Sequence, residues 1–266
     1  LLIMFLNPED KALASEYLKQ GYVIRPVEDK ASLDWIRLKL TALSKASLTQ
    51  TNNQTEEKWL NHIHEKISVD TLNSFRLDMI NGINSESQLR KNYFSLARGL
   101  LDALVGNELA MQLRVNLSIQ LPNDDSSLLG VHADTWAGDS PYEVVVWLPL
   151  VDCYKTKSMY LLPPEANRRL TQEFKEKARG SSEELFRAIE SEIVWLEVPY
   201  GHVLVFDQGL PHGNRVNKES ETRWSMNCRF KGVFTPYGDK KVGEFFEPIT
   251  LRAASRIGMS YRLPEA

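Results

Sequence analysis

The chain of 266 residues is 42% hydrophobic and 25% charged, a composition typical of a globular protein and unlike that of disordered, collagenous or coiled-coil chains. Its 32 basic and 35 acidic residues give a net charge of −3, so no global positive field favours binding to nucleic acid or to an anionic membrane surface. Two cysteines are too few for a disulfide framework, and we therefore expect a cytoplasmic protein.

The N-terminal part of the chain is predicted to contain a helix followed by a strand. The first six residues are apolar, but a membrane span needs roughly 20 such residues, so we expect a buried strand or an anchor on the core instead. Asn7 and Pro8 are residue types that begin helices, and Gly21 is the type that ends them. The apolar residues 22–24 follow directly and indicate a strand.

The rest of the first hundred residues also has a mostly helical pattern. Asp29 is suited to cap a second helix, whose apolar stripe comprises Leu33, Ile36, Leu40 and Leu43. Residues 44–66 are largely polar, and we predict a long mobile loop or lid there. Apolar residues between Tyr93 and Leu104 form a third stripe, which predicts one helix that ends near Gly106.

The apolar pattern changes near residue 112 from a helical period to a period of two residues. A strand is predicted over residues 112–121, with Asn116, Ser118 and Gln120 on its polar face. Further strands are predicted over residues 143–148, 193–198, 202–206 and 223–230. Residues 168–191 are rich in charged side chains and contain a capping box at Ser181 and Glu184, which indicates a helical insertion.

Short strands joined by turns of Gly, Pro, Asn and Asp predict an α+β protein with a jelly-roll (double-stranded β-helix) core, flanked by N-terminal helices and one helical insertion. We expect a single domain over residues 1–266. Its parts are a mostly helical flank over 1–111, the core over 112–235 with the insertion at 168–191, and a C-terminal extension over 236–266. The polar face of a strand inside such a barrel usually lines a binding site.

One pair of side chains and one distant histidine favour metal binding. His132 and Asp134 are two residues apart, so in an extended segment both side chains project to the same side and are able to bind one metal ion. His212 lies in a loop just after the predicted strand 202–206, where a rigid scaffold presents a ligand well. Three other histidines are weaker candidates that are expected to bond backbone groups or solvent: His62, His64 and His202.

Arg223 lies eleven residues beyond His212 and begins a strand whose polar face also carries Ser225, Asn227 and Arg229. A guanidinium that points into a barrel is costly unless an anion or a carboxylate meets it. The arginine fork binds a carboxylate in bidentate fashion, and Ser225 is placed to donate to the same group. Two interpretations stay open at this point: a structural ion pair with an acidic side chain, and a bound carboxylate ligand.

Together, the His132-x-Asp134 pair, the distant His212 and the following Arg223 resemble the signature of the non-haem Fe(II), 2-oxoglutarate-dependent oxygenases. The resemblance is closest to the phytanoyl-CoA dioxygenase-like branch, because residues 201–230 combine a Gly-x-x-Leu-Val-Phe strand, a Pro-His-Gly sequence and the arginine. The helix-then-strand opening before residue 24 is also similar to that branch. Within it, the chain resembles oxygenases of bacterial surface-carbohydrate gene clusters. The insertion at 168–191 and the tail after residue 237 match nothing in this family.

The resemblance implies a role for each matched residue. His132, Asp134 and His212 would bind Fe(II) on one face, leaving open positions for 2-oxoglutarate and O₂. Arg223 would hold the distal carboxylate of 2-oxoglutarate, with Ser225 in support. Halide-transferring relatives have Gly or Ala in place of the ligand carboxylate, so the presence of Asp134 favours a hydroxylase that releases succinate and CO₂.

Five further residues are expected to line the rest of the site. Asn116 and Gln120 would contact the cosubstrate or the substrate. Trp136 and Tyr142 would contact the substrate or serve as half-buried packing residues, and Arg229 would bind the substrate or a structural acid. Aromatic and polar groups together suit a small polar metabolite, such as a sugar or a sugar nucleotide. The alternative is a non-catalytic jelly-roll protein that binds a metal ion or a carbohydrate. The oligomeric state does not follow from the sequence.

Overall fold

The computed structural model describes residues 5–51, 53–177 and 181–264 of the chain. Most of the predicted N-terminal strand therefore lies outside the described residues. In chain order, the helices are α1 (Pro8–Gln20), α2 (Lys30–Ser47), α3 (Glu56–Asn61), α4 (Val69–Asn84), α5 (Leu89–Ser95), α6 (Arg98–Leu104), α7 (Pro164–Lys177), α8 (Ser182–Ile189) and α9 (Ala253–Ser260). The strands are β1 (Tyr22–Pro26), β2 (Leu109–Gln112), β3 (Asn116–Gln120), β4 (Glu143–Pro149), β5 (Tyr160–Leu161), β6 (Val194–Trp195), β7 (His202–Asp207), β8 (His212–Gly213), β9 (Arg223–Gly232) and β10 (Phe246–Pro248).

The first helix forms as its terminal residues predict. The side chain of Asn7 accepts a hydrogen bond from the backbone N–H of Asp10 at 2.7 Å, and Pro8 occupies the first turn, where no N–H is needed. Gly21 ends the helix with a φ of +81°, a conformation that glycine adopts without strain. A side chain at this glycine would also collide with Leu210, which directly precedes the Pro-His-Gly sequence.

Two antiparallel sheets form the core of the protein. The larger sheet has the strand order β1-β7-β4-β9-β2-β10, and β3 pairs with β9 next to the end of β2. The smaller sheet has the order β6-β5-β8. This arrangement, with helices on its flanks, is the predicted α+β jelly roll.

The strand β9 separates the helical layer from the interior of the barrel. Alternate side chains on one face are apolar and pack under the helices: Trp224, Met226, Cys228 and Phe230. Trp224 shows how, because its ring meets Phe75 of α4 edge-on at 6.0 Å and its Nε1–H donates to the carbonyl of Leu60 at 2.9 Å. The opposite face of β9 therefore points into the jelly roll, as the alternation of the sequence predicts.

The prediction of a mobile lid over residues 44–66 is wrong. The helix α2 continues to Ser47, and α3 begins at Glu56. Trp59, Leu60 and Ile63 are buried in the core, and the Trp59 Nε1–H donates to the Ser44 hydroxyl at 2.7 Å. Three large apolar side chains anchor this otherwise polar stretch, and a count of its polar residues does not reveal them.

The single helix predicted between Tyr93 and Leu104 is two helices, α5 and α6, joined at Leu96 and Ala97. The carboxylate of Glu28 accepts hydrogen bonds from the backbone N–H groups of Gly99 at 2.8 Å and Leu100 at 3.2 Å, so it caps the start of α6. A continuous apolar stripe does not reveal such a break, because residues on both sides of it still face the same core.

The predicted strand over 112–121 is also interrupted. Asn84 of α4 takes both backbone groups of Val115, accepting from its N–H and donating to its carbonyl, each at 2.9 Å. The side chain of a helix thus replaces the sheet partner at this residue. The predicted strand over 193–198 shortens to Val194–Trp195.

The boundaries predicted for the core need correction as well. The strands β1 and β10 belong to the larger sheet, although they come from the predicted flanks at 1–111 and 236–266. The helical insertion is confirmed as α7 and α8, and its capping box joins Ser181 and Glu184. It covers the smaller sheet, where Phe186 packs on Tyr160 with ring centroids 5.2 Å apart.

Two further observations concern the chain as a whole. Both cysteines, Cys153 and Cys228, are free thiols buried in the core. Among the helices of the described residues, none is both long and apolar enough to span a bilayer.

Candidate functional site

Two segments bring His132 and His212 together as direct cross-strand partners. The N–H of His132 donates to the carbonyl of His212 at 3.1 Å, the N–H of His212 donates back at 2.8 Å, and the ring centroids lie 4.3 Å apart. Gly213 permits this approach, because a Cβ atom there would lie 2.7 Å from the carbonyl oxygen of Leu129. The Pro-His-Gly sequence therefore holds the distant histidine against the His-x-Asp segment.

Asp134 completes the group from the start of a short 3₁₀ helix, Asp134–Ala137. Its backbone N–H donates to the carbonyl of Gln208 at 3.0 Å, and its Oδ1 lies 3.6 Å from Nε2 of His132. One ligand atom from each of His132, Asp134 and His212 lies within 4.8 Å of the others. The structure thus brings together the three residues that the sequence proposes as metal ligands.

Both imidazoles are oriented by backbone carbonyls two residues earlier in the chain. Nδ1 of His132 lies 2.9 Å from the carbonyl oxygen of Gly130, and Nδ1 of His212 lies 2.8 Å from that of Leu210. A carbonyl oxygen only accepts, so Nδ1 carries the proton in each ring and the lone pair of Nε2 is available to a metal ion. Burial, reinforced by the neighbouring His132, lowers the pKa of His212 to about 4, which keeps this imidazole neutral at neutral pH.

The three residues line a cavity of about 220 Å³ between the two sheets. Its wall combines apolar side chains of β4 and β7 with polar side chains of β3 and β9. The lining residues are Asn116, Ser118, Ser127, Leu129, His132, Asp134, Val145, Trp147, Met159, Phe206, His212, Gly213, Asn214, Arg223, Ser225, Asn227 and Arg229.

Arg223 brings a buried charge to the wall of this cavity. The residue is 4% exposed; its Nη1 donates to the carbonyl of Ser158 at 3.0 Å and its Nη2 to the hydroxyl of Ser118 at 2.9 Å. Its Nε is buried without a hydrogen-bond partner, and no acidic side chain of the described residues lies within 4.0 Å. Burial lowers the pKa of this guanidinium to about 10, so it remains charged at neutral pH. The structural ion pair left open by the sequence is therefore not formed.

Arg229 lies on the same face of β9 but contacts the metal-ligand group. Its Nη2 donates to Oδ2 of Asp134 at 2.7 Å, and its Nε donates to Oε1 of Gln208 at 2.9 Å. The carboxylate of Asp139 lies 3.9 Å from the same Nη2 atom. The structure thus places this arginine against a candidate ligand.

The remaining residues proposed from the sequence divide into two groups. Ser225 and Asn116 line the cavity, and the Nδ2 of Asn116 donates to Oδ1 of Asn227 at 2.9 Å. Three others are not among the lining residues: Gln120, Trp136 and Tyr142. Gln120 is buried and donates to the carbonyl of Arg215 at 2.7 Å, whereas Trp136 and Tyr142 are 45% and 54% exposed.

Sequence reasoning missed several polar residues around the cavity. Gln208 is fully buried and bonds both Arg229 and Glu143. Asn214 donates to the carbonyl of Ser127 at 3.1 Å, so it ties the loop after His212 to the wall on the other side. The sequence signal that could have identified them is their position, because Gln208 directly follows the buried strand β7 and Asn214 directly follows β8.

A second group of possible metal ligands lies outside the cavity. His62, His64 and Glu65 bring ligand atoms within 4.8 Å of one another. Nδ1 of His64 lies 2.9 Å from the hydroxyl of Thr222, and Nδ1 of His62 lies 3.3 Å from the carboxylate of Glu65. This group is more exposed than the group in the cavity, and its three residues are not among those that line that cavity.

No protein-family model matches the sequence, and no curated protein matches it either. Solved structures do share its fold. The non-heme monooxygenase ThoJ in complex with nickel is 16% identical with a TM-score of 0.51, over 96% of this chain and 89% of that one. The non-heme alpha ketoglutarate dependent carbocyclase SnoK from nogalamycin biosynthesis is 15% identical with a TM-score of 0.56, over 92% and 97%. HygX from Streptomyces hygroscopicus, with nickel and 2-oxoglutarate bound, is 12% identical with a TM-score of 0.50, over 87% and 89%.

At these identities the likeness shows the fold. The chain shares its jelly-roll fold with a non-heme monooxygenase, with a non-heme alpha ketoglutarate dependent carbocyclase and with a protein solved with nickel and 2-oxoglutarate bound. Independently of that likeness, the cavity of this chain presents two imidazoles, one carboxylate and one guanidinium that has no acidic partner among the described residues. Both parts of the sequence signature therefore meet in one place.

Proposed function

We propose that this protein is an Fe(II)- and 2-oxoglutarate-dependent oxygenase that acts on a small polar molecule. One observation carries the proposal. The lining of a single cavity presents three converging metal-ligand atoms and a buried guanidinium that has no acidic partner among the described residues. A structural metal site would explain the ligands alone, and a structural arginine would have an acidic partner.

The donor set suits the metal. Two imidazole nitrogens and one carboxylate oxygen on one face, with open positions opposite, are typical of non-haem Fe(II) oxygenases. In this chain His132, Asp134 and His212 would hold the iron. The hydrogen bonds at both Nδ1 atoms leave the lone pair of each Nε2 directed at the metal. The carboxylate ligand is present, which favours hydroxylation over halide transfer.

The part of the cavity lining that carries Arg223 suits the cosubstrate. The buried Nε of Arg223 has no partner, and its charge would meet the distal carboxylate of 2-oxoglutarate. Ser225 lies two residues along the same face and would donate a second hydrogen bond to that carboxylate. Asn116 would contact the cosubstrate or the substrate from β3.

Iron and 2-oxoglutarate, when bound, would supply the reduction of O₂ coupled to the loss of CO₂ from the cosubstrate, which leaves succinate and oxidises the substrate. The protein's own residues position these groups and keep bulk water out. Val145, Trp147 and Phe206 form the apolar part of the wall and would shield the reacting atoms. ThoJ is a monooxygenase and SnoK a carbocyclase, so the fold supports several oxidative outcomes, of which we propose hydroxylation.

An anaerobic titration tests the proposal. Fe(II) and 2-oxoglutarate added together should produce a weak visible absorption band, because the keto acid chelates the iron only when both bind at one centre. Admitting O₂ should then convert 2-oxoglutarate into succinate. His212→Ala should abolish both signals, whereas the matched control His202→Ala should retain them, since His202 is not among the lining residues. Absence of the band at saturating concentrations would favour the non-catalytic jelly-roll binding protein instead.

A further inference from the structure

The two carboxylate oxygens of Asp134 have different neighbours. Oδ1 faces the imidazole of His132, with Nε2 at 3.6 Å, whereas Oδ2 accepts a hydrogen bond from Nη2 of Arg229 at 2.7 Å. Both side chains are mostly buried, at 11% exposure for Asp134 and 13% for Arg229. Bulk water therefore competes little with this contact, and Oδ2 is already engaged in a hydrogen bond within the protein.

The guanidinium of Arg229 is also fixed by hydrogen bonds to a neighbouring buried side chain. Nε of Arg229 donates to Oε1 of Gln208 at 2.9 Å, and Nε2 of Gln208 donates to Oε2 of Glu143 at 2.8 Å. The backbone carbonyl of Gln208 also accepts from the N–H of Asp134 at 3.0 Å. Gln208 thus contacts both the arginine and the backbone of the ligand residue, which closes a buried ring of hydrogen bonds around the carboxylate.

We propose that Arg229 is a positioning residue that reserves Oδ2 of Asp134, so that this carboxylate offers a single oxygen to the metal. The proposal rests on the proposed function. A carboxylate that bound through both oxygens would occupy one more coordination position, and the cosubstrate and O₂ together need the three positions that the protein ligands leave open. Hydrogen-bonded partners of metal ligands typically fix ligand orientation in this way.

This role differs from the two others that an arginine at this place would have. A substrate-binding arginine would present most of its donors to the cavity, whereas the Nε and Nη2 of Arg229 bond groups of the protein, which leaves Nη1 for a substrate. A merely structural ion pair would affect folding stability but not the mode in which Asp134 binds a metal. Metal affinity and the spectrum of the bound metal therefore separate the three possibilities.

The test uses Co(II) bound anaerobically to the metal-free protein, because the visible spectrum of Co(II) reports its coordination number. Arg229→Met removes the charge and the fork and should weaken Co(II) binding about 10- to 100-fold, with a changed spectrum. Arg229→Lys should recover part of the affinity. Gln208→Leu should shift affinity in the same direction by less, because it removes only the support behind the arginine.

Lys231→Met is the matched control. Lys231 is a fully buried cation on the same face of β9, but its Nζ donates to the carbonyl of Pro236 and lies over the ring of Tyr237. Its removal should leave the Co(II) affinity and spectrum at wild-type values. A loss of affinity equal to that of Arg229→Met would overturn the proposal, because any buried cation on this strand would then have the same effect.

Other outcomes also decide. A folded Arg229→Met variant whose Co(II) affinity and spectrum both match those of the wild type would overturn the positioning role. If that variant does not fold, wild-type Co(II) affinity in both Arg229→Lys and Gln208→Leu would overturn it. Failure of the proposed function gives a different result: the wild-type Co(II) complex would then not bind 2-oxoglutarate, although the variants would still rank in Co(II) affinity as described.

Discussion

Two arginines on one face of β9, six residues apart, have opposite electrostatic surroundings. Arg229 donates to a carboxylate of its own chain, at 2.7 Å from Asp134. Arg223 is more deeply buried but donates only to the hydroxyl of Ser118 and the carbonyl of Ser158. The difference teaches that residue type and strand position do not assign a role. The role depends on whether the protein supplies the anion.

The energetic consequence of this difference is large. A buried charge without a counterion costs several kcal/mol of folding free energy, and a protein retains it where a ligand offsets the cost. Arg223 thus stores a binding preference for a carboxylate in the ligand-free protein. Arg229 is instead paired with Asp134, a residue of the metal-ligand group, so these two charges offset each other at that part of the cavity wall.

Asp134→Ala makes the two arginines alike and should have the largest effect. It removes one of three metal ligands and leaves Arg229 without its nearest carboxylate, so Fe(II) or Co(II) binding should fall below detection. Metal titration followed by visible absorption measures this loss. Retention of wild-type metal affinity would exclude His132, Asp134 and His212 as the ligand group.

Arg223→Leu should remove the carboxylate preference while leaving the metal site intact. The loss of a buried charge-assisted pair costs about 2–5 kcal/mol, so the 2-oxoglutarate affinity of the metal-loaded protein should fall about 30-fold to several thousandfold. Arg223→Lys keeps the charge without the fork and should fall between this variant and the wild type. Isothermal titration of 2-oxoglutarate into the Co(II) complex measures both.

Arg37→Leu is the matched control for this prediction. Arg37 is also a buried arginine with partnerless side-chain nitrogens, but it stacks on the ring of Tyr200 at 4.0 Å and does not line the cavity. Its loss should leave the 2-oxoglutarate affinity unchanged. Equal losses at Arg37 and Arg223 would mean that stability, not carboxylate recognition, determines the affinity.

The parts of the fold that could be predicted are those whose signal is local. The alternation along β9 separates Arg223 from Trp224 correctly, because side chains of a strand alternate regardless of the partners. The helix α3 could not be predicted, because its polar composition hides the burial of Trp59 and Leu60. Likewise, the break before β3 depends on Asn84, which reaches Val115 from a helix 31 residues earlier.

The site divides in the same way. The His132-x-Asp134 pair could be predicted from spacing, since two residues of an extended segment share a side. The contact between Asp134 and Arg229 joins residues 95 positions apart, and the contact with Gln208 depends on the loop after β7. No pattern along the chain encodes that arrangement, so the strand face of Arg229 leaves its partner open between the substrate and a structural acid, and does not identify Asp134.

The stability of the metal-free protein should separate the two arginines further. Arg229→Leu leaves the carboxylate of Asp134 buried without its partner and should lower the free energy of unfolding by about 3–5 kcal/mol. Arg223→Leu removes a charge that has no counterion, so its loss of two hydrogen bonds to neutral acceptors is offset and the change should stay within about 1 kcal/mol. Urea unfolding in the presence of a chelator measures both. Equal losses would show that Arg223 has an unrecognised anion within the protein.

Ser225→Ala should have the smallest effect and tests how far recognition of the carboxylate extends along β9. A hydrogen bond to a charged carboxylate contributes about 1.5–3 kcal/mol, so the 2-oxoglutarate affinity of the Co(II) complex should fall about 10- to 150-fold. Gln120→Leu is the informative comparison, because Gln120 lies opposite Arg223 in the register of β3 and β9 but bonds the carbonyl of Arg215 outside the cavity. It should leave the affinity unchanged while lowering stability. A larger loss of 2-oxoglutarate affinity in Gln120→Leu than in Ser225→Ala would place the carboxylate near Gln120, outside the cavity. Arg223 and Arg229 would then not serve one site.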